Sequence, residues 1–243
     1  MQDGAIFSGY RKDKILKNER LKYCPLCKYK IATVEHILLS CIGHNKSQME
    51  KHDHIGIIIW EGLIRKYTGN KQYKKSPYET VFQYNDITMI WNKQIMPKSD
   101  GLYHKRPDIY VLDKKNKTGL IIDMTIVADH NINGAYWKKR NMYKELKNRL
   151  MKIEKLKDVK IIPVVISING LVNAESIKLI KQLKIEIDIT KEIKNLVIKN
   201  MMDVMEHCGD HNQTYVVELQ DEDEGTGLVS PEPGTIDTSS INT

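Results

Sequence analysis

The sequence predicts a mixed α/β domain, one central sheet flanked by helices, with a small metal-binding module ahead of it. Three observations carry that prediction. Residues 109–112 and 120–127 are β-branched, aliphatic runs joined by a charged turn-like segment, residues 134–159 follow with an amphipathic stripe, and residues 24–41 gather three cysteines and a histidine. Strand, strand, helix, strand with further helices around them is the order of a layered domain, because each element needs a second layer on which to bury its apolar face.

Taken in order, residues 1–20 are polar and basic and read as a connector, and residues 21–45 form the cysteine unit. Met49, Ile55, Ile59, Leu63 and Tyr67 then recur at roughly helical spacing, predicting a helix that ends near Gly69. Residues 71–77 are a polar loop, and Ile87–Trp91 has strand composition. The two runs at 109–112 and 120–127 make a hairpin around the turn 113–119. Tyr143, Leu146, Leu150 and Ile153 mark one face of a helix over 134–159. Residues 161–168 read as a buried strand, 173–183 as a short helix and 192–205 as a final helix. The main domain is therefore expected over 46–207. Beyond it, residues 208–243, with the run Asp221, Glu222, Asp223, Glu224 and then Gly, Ser, Thr and Pro, are expected to form a disordered acidic tail.

Composition narrows the function classes. With 41% hydrophobic residues in 243, the chain can bury a real core. Apolar runs such as Ile57–Trp60 are far too short to cross a bilayer, and the N-terminus has no charged-then-apolar signal pattern, so a soluble intracellular protein with no membrane partner is expected. The net charge of +7 hides a stronger asymmetry. Residues 209–243 carry eight acidic side chains and no Lys or Arg, so residues 1–208 hold 38 basic against 23 acidic groups. Such a body suits a polyanionic partner such as nucleic acid, although lysine-rich faces can also be merely solvated.

Cys24 and Cys27 are separated by two residues, His36 follows after eight more, and Cys41 after another four. The tight pair presents two thiolates from one turn, and a short helix such as 34–39 can bring up the histidine and the last cysteine. Three soft sulfurs with one imidazole make a closed tetrahedral zinc site, which holds a fold and leaves no open position for chemistry. The alternative is three small buried cysteines in a reducing compartment. His44, His52 and His54 compete for the histidine place, but His36 alone lies between the cysteines. Cys208 stands apart as an ordinary thiol.

A hairpin turn centred between Lys115 and Asn116 pairs residues whose numbers sum to 231, as those of Asp108 and Asp123 do. Their side chains should then share one face with Cβ atoms about 4.5–5.5 Å apart. Two carboxylates so placed destabilise a sheet unless a cation sits between them, and Mg²⁺ or Mn²⁺ is the natural occupant. A turn of odd length would defeat the pairing, and the plainer alternative leaves Asp108 as a strand start after Pro107 and Asp123 as an edge residue. Lys139 precedes Tyr143 by four and Leu146 by seven, so it lies on the sheet-facing stripe, as a catalytic amine or as a snorkelling lysine. Lys138 lies about 100° round the helix, on the solvated side.

These residues converge on a family. The string RPDIYVLDKKNKTGLIIDMTIVADHNI from Arg106 to Ile132, Lys139 and Tyr143 after it, and VKIIPVVISINGLV from Val159 to Val172 resemble the restriction-like endonuclease region of non-LTR retrotransposons. The knuckle and the segment KHDHI at 51–55 stand in the same order there, and the similarity covers roughly residues 21–200. The resemblance implies a PD-(D/E)XK nuclease fold, with Asp108 and Asp123 as ligands of Mg²⁺ or Mn²⁺ and Lys139 as the catalytic lysine. Lys51, His52, Arg106, Lys138 and Tyr143 are the candidate nucleic-acid contacts. The family's activity is the nicking of nuclear target DNA, whose freed 3′ end primes copying of the element's RNA. Two departures stand out. Thr125 occupies the place of the usual lysine two after the second acid, and Met142 replaces a second lysine before the tyrosine. Glu61 and Glu79 are candidates for a third acidic ligand. With no polymerase motif present, the chain reads as a part of such an element or a remnant of one, and the alternatives are a nucleic-acid-binding remnant that does not cut or a zinc-stabilised protein-interaction domain.

Overall fold

A computed structural model describes residues 22–199 other than 25, 77, 186, 187, 189 and 190, together with residue 202. The connector 1–20, Cys208 and the acidic tail lie outside the described residues. The fold is α/β. A five-stranded mixed sheet in the order β1 (Val81–Tyr84), β2 (Ile87–Trp91), β3 (Ile109–Asp113), β4 (Thr118–Val127), β5 (Asp158–Ser167) lies between layers of helix. Its first four strands are antiparallel, and β5 runs parallel to β4. A parallel partner needs a crossover, which α2 (Ile132–Met142) and α3 (Lys144–Ile153) supply.

The residue types explain the layers. On one side of the sheet, α1 (Asn45–Thr68) buries Ile55, Ile59, Trp60 and Leu63 against Met89, Ile109, Ile122 and Met124, joined by Ile180 of α4 (Ala174–Gln182) and by Ile193 and Val197 of a helical stretch over 191–199. On the other, Tyr143, Leu146 and Leu150 pack on Tyr110, Leu112, Ile121 and Val159. The cysteine unit buries Cys24, Ala32, Ile37, Leu38 and Cys41, and Ile168, just beyond β5, packs against it. Among the described residues no helix is long and apolar enough to cross a membrane.

Several expectations need correction. The helix expected over 134–159 is two helices: Tyr143 leaves helical geometry with φ −98° and ψ 1°, and Ile153, expected on the buried stripe, is exposed. Met49, the first member of the α1 stripe, is exposed as well, because the stripe meets the sheet only from Ile55 onward. Strand β1 was not expected. It is mostly exposed at the sheet's margin and therefore lacks apolar alternation, and its signal lies in the two-residue turn Asn85–Asp86, where Asn85 has φ 50°. Of the final helix expected over 192–205, residues 200, 201 and 203–205 lie outside the described residues.

One close approach fixes the tilt of α1 on the sheet. A Cβ on Gly56 would meet Trp91 Cη2 at 2.4 Å and the Met124 methyl at 2.7 Å. Gly56→Ala should therefore cost about 1–3 kcal/mol of stability through overpacking, seen as a lower urea midpoint with an unchanged m-value.

Candidate metal centre and acid pair

The donor atoms of Cys24, Cys27, His36 and Cys41 all lie within 4.8 Å of one another. Cys24 Sγ and Cys41 Sγ are 3.6 Å apart, and Cys27 Sγ and His36 Nε2 are 3.3 Å apart. Zinc–ligand bonds of about 2.0–2.3 Å in tetrahedral array put such edges at about 3.5–3.8 Å, so the set can hold a metal ion such as zinc. Local structure prepares two of the donors, Cys27 and His36, whereas burial pushes the Cys41 thiol up to about 12. Burial opposes the Cys27 thiolate, but the amides of Tyr29 and Lys30 hydrogen-bond it and hold the thiol below its ordinary range. Burial, with Lys30 nearby, lowers His36 and keeps its ring neutral, as a ligand must be. A single π-type turn over His36–Ser40 carries the ring. There the Ser40 hydroxyl donates to the His36 carbonyl at 3.4 Å and lies 3.2 Å from Nδ1, an arrangement that assigns the proton to Nδ1 and leaves Nε2 facing Cys27. Of the competing histidines, His54 is exposed on α1 and the His44 side chain lies outside the described residues.

The hairpin register is the expected one. Ile109 faces Ile122, and each following pair through Asp113 and Thr118 sums to 231. The turn is fixed by Asp113, whose Oδ1 accepts from the Asn116 amide at 2.8 Å and whose Oδ2 accepts from Asn116 Nδ2 at 2.7 Å. Asp108 sits one step before β3 and Asp123 opposite it in β4, both buried. Asp108 Oδ2 accepts from the Met124 amide at 2.6 Å, which ties its carboxylate across to β4. Asp123 Oδ1 accepts from the Tyr143 hydroxyl at 2.6 Å, and Lys139 Nζ reaches Asp123 Oδ2 at 2.5 Å. That last contact is an ion pair, since no aligned hydrogen bond reaches Asp123 Oδ2. Burial first, and then the neighbouring Asp108, push the Asp123 carboxyl above its ordinary range against the pull of Lys139.

The remaining expected contacts divide. Arg106 and Lys138 are exposed, whereas Lys51 is only 7% exposed. Tyr143 is 2% exposed, and its hydroxyl holds Asp123. Glu61 accepts from Arg65 at 2.7 Å and from the Lys75 amide at 3.0 Å, while Glu79 accepts from Tyr73 and from Trp60 Nε1. Both are thereby occupied in bracing α1 on the 73–79 loop. His52 is more than a surface histidine: its Nε2 lies 3.2 Å from Asp108 Oδ2 and its Nδ1 3.2 Å from Asp53 Oδ1. The sequence signal was the HD pair at 52–53, which lacks meaning until α1 is seen to pass over the start of β3.

The hydrogen bond that His52 donates to Asp108, helped by Asp53, raises His52 to about 9, so the ring is cationic at neutral pH. Its folded value exceeds the ordinary 6.5, and its stabilising contribution is therefore complete below 6.5 and lost as pH rises through about 9. Without added divalent ion, the thermal midpoint should fall more steeply over that window in wild type than in His52→Gln; equal slopes would rule the pairing out.

In comparisons with known proteins, no family model matches the chain and no curated protein matches it.

Proposed function

We propose that the protein is a metal-dependent DNA endonuclease of the PD-(D/E)XK kind, akin to the restriction-like endonucleases of non-LTR retrotransposons, with a structural zinc knuckle. The observation that carries this reading is the meeting of two buried carboxylates from neighbouring strands with the amine of a following helix. Two buried carboxylates on neighbouring strands, one of them already drawing the Lys139 amine to Oδ2, are a donor set suited to a divalent cation. A hard divalent ion, Mg²⁺ or Mn²⁺, held by Asp108 and Asp123 would supply an activated water and neutralise charge gathering on a phosphodiester. The chain's own groups do the positioning. The Met124 amide aims Asp108, the Tyr143 hydroxyl aims Asp123, and Lys139 brings positive charge to the place where the phosphate's negative charge grows. The basic body grips DNA through phosphate contacts that weaken with salt.

Zinc-loaded protein with Mg²⁺ should convert supercoiled plasmid to open circles, and Asp108→Ala should abolish the conversion. Folded wild type that leaves plasmid intact with both Mg²⁺ and Mn²⁺ defeats the proposal. One observation favours a second reading, binding without cutting: each carboxylate already meets a protein cation, Asp108 with His52 and Asp123 with Lys139. In that case DNA affinity persists and no metal restores cleavage.

A further inference from the structure

Trp137 is 54% exposed, whereas Trp60 is fully buried and Trp91 is 9% exposed. A large indole left in water calls for a reason when the same chain buries its other two. The ring is also held in place. Tyr136 meets it edge-on at 5.3 Å between centroids, and the Arg140 guanidinium lies 5.4 Å from its centre. Arg140 follows Trp137 by one turn, and Lys144, Lys147 and Asn148 continue the same line past the break at Tyr143. The four from Arg140 onward form one wall of a groove of about 470 Å³, closed by Lys160 and Ile161 of β5 and by Leu179 and Gln182 of α4. β5 is the last strand of the sheet, and beyond it lies an isolated bridge from Ile166 to Val172 near its far end, so at Lys160 and Ile161 this groove runs along the outer edge of the sheet. Four cations line it and no Asp or Glu does, although Lys147 is also paired with Asp158 at 2.8 Å. Trp137 lies about 200° round α2 from Lys139, so this surface faces away from the acid pair.

We propose that the groove is a second nucleic-acid surface that takes a single strand, its phosphates along Arg140, Lys144, Lys147 and Lys160 and one base stacked on Trp137. An acidic polypeptide would satisfy the cations but leaves the braced indole without a use. A duplex satisfies the cations equally, yet keeps its bases stacked inside and away from the ring. A single strand uses both features, since every base has a face to stack and every linkage a charge. The inference stands whether or not the acid pair cuts.

The test is a fluorescence titration of the zinc-loaded full chain with a thymidylate oligomer of about 20 nucleotides, without Mg²⁺, so that cleavage does not enter. Since Trp60 and Trp91 are buried, quenching reports Trp137. Binding should quench the signal. Followed by oligomer anisotropy, affinity should fall about tenfold in Trp137→Ala, recover in Trp137→Phe, and show a shallower salt dependence in Arg140→Glu/Lys160→Glu. Duplex of the same length should bind Trp137→Ala as it binds wild type. Unchanged oligomer affinity in Trp137→Ala overturns the proposal. So does polyglutamate binding as tightly as the oligomer, which would make the groove a site for acidic proteins. Failure of the plasmid assay leaves these expectations untouched, so the two ideas fail separately.

Discussion

Lys139→Ala is expected to slow Mg²⁺-dependent nicking by about 10²- to 10³-fold while the fold persists, a loss typical of removing one preorganised positive group from a reacting centre. The size follows from where the amine sits. It reaches Asp123 Oδ2 at 2.5 Å from α2, a helix that packs on β4 and β5 and buries Tyr136. Its removal acts twice. A positive charge leaves the place where phosphate charge gathers, and Asp123, already held above its ordinary range by burial and by Asp108, loses the group that opposes that rise. Lys139→Arg keeps the charge but brings a planar fork where a compact ammonium fits, so partial activity is expected. Single-turnover rates on plasmid, with DNA affinity measured beside them, check both, and a Lys139→Ala protein that nicks at the wild-type rate would remove Lys139 from the mechanism.

The second large effect concerns the knuckle. Cys27→Ser, or a strong chelator, should release one zinc per chain and unfold residues 22–41 while the sheet domain stays folded. The reason is scale. The knuckle's own core is five buried residues, two of them cysteines, and a unit of this size depends on its metal, whose binding contributes about 10–16 kcal/mol in comparable zinc modules. The sheet domain holds two larger apolar clusters that share no residue with the knuckle. Elemental analysis and hydrogen exchange read the outcome: exchange should rise across 22–41 and stay slow in β3 to β5. Slow exchange across 22–41 after zinc is stripped would show that packing alone sustains the unit.

What could be read in the sequence was set by local rules that the tertiary structure then respected. The hairpin register followed from a turn of even length, and Asp113 with Asn116 explains why that length holds. Lys139 was singled out by four- and seven-residue spacing to Tyr143 and Leu146, and although the helix breaks at Tyr143, its amine still reaches Asp123. The knuckle was legible because its ligands are close in sequence. What escaped depends on contacts between distant elements. His52 reaches Asp108 across 56 positions, and no spacing rule connects α1 to the start of β3. The burial of Lys51 has the same origin. Tyr143 reads as one more member of a helical stripe, yet the helix breaks there, and its phenol turns onto Asp123 and the Arg106 carbonyl. Glu61 and Glu79 were candidates by residue type alone, and ion pairing and hydrogen bonds in the 60–79 region claim them first.

Whether Asp108 and Asp123 form one divalent-ion centre is tested most directly by titrating zinc-loaded protein with Mn²⁺ and following the free ion by electron paramagnetic resonance. The wild type should remove one equivalent of Mn²⁺ from solution, and Asp123→Asn, which keeps the shape and removes the charge, should remove none. Equal uptake by the two proteins, or no uptake by the wild type, would contradict the centre.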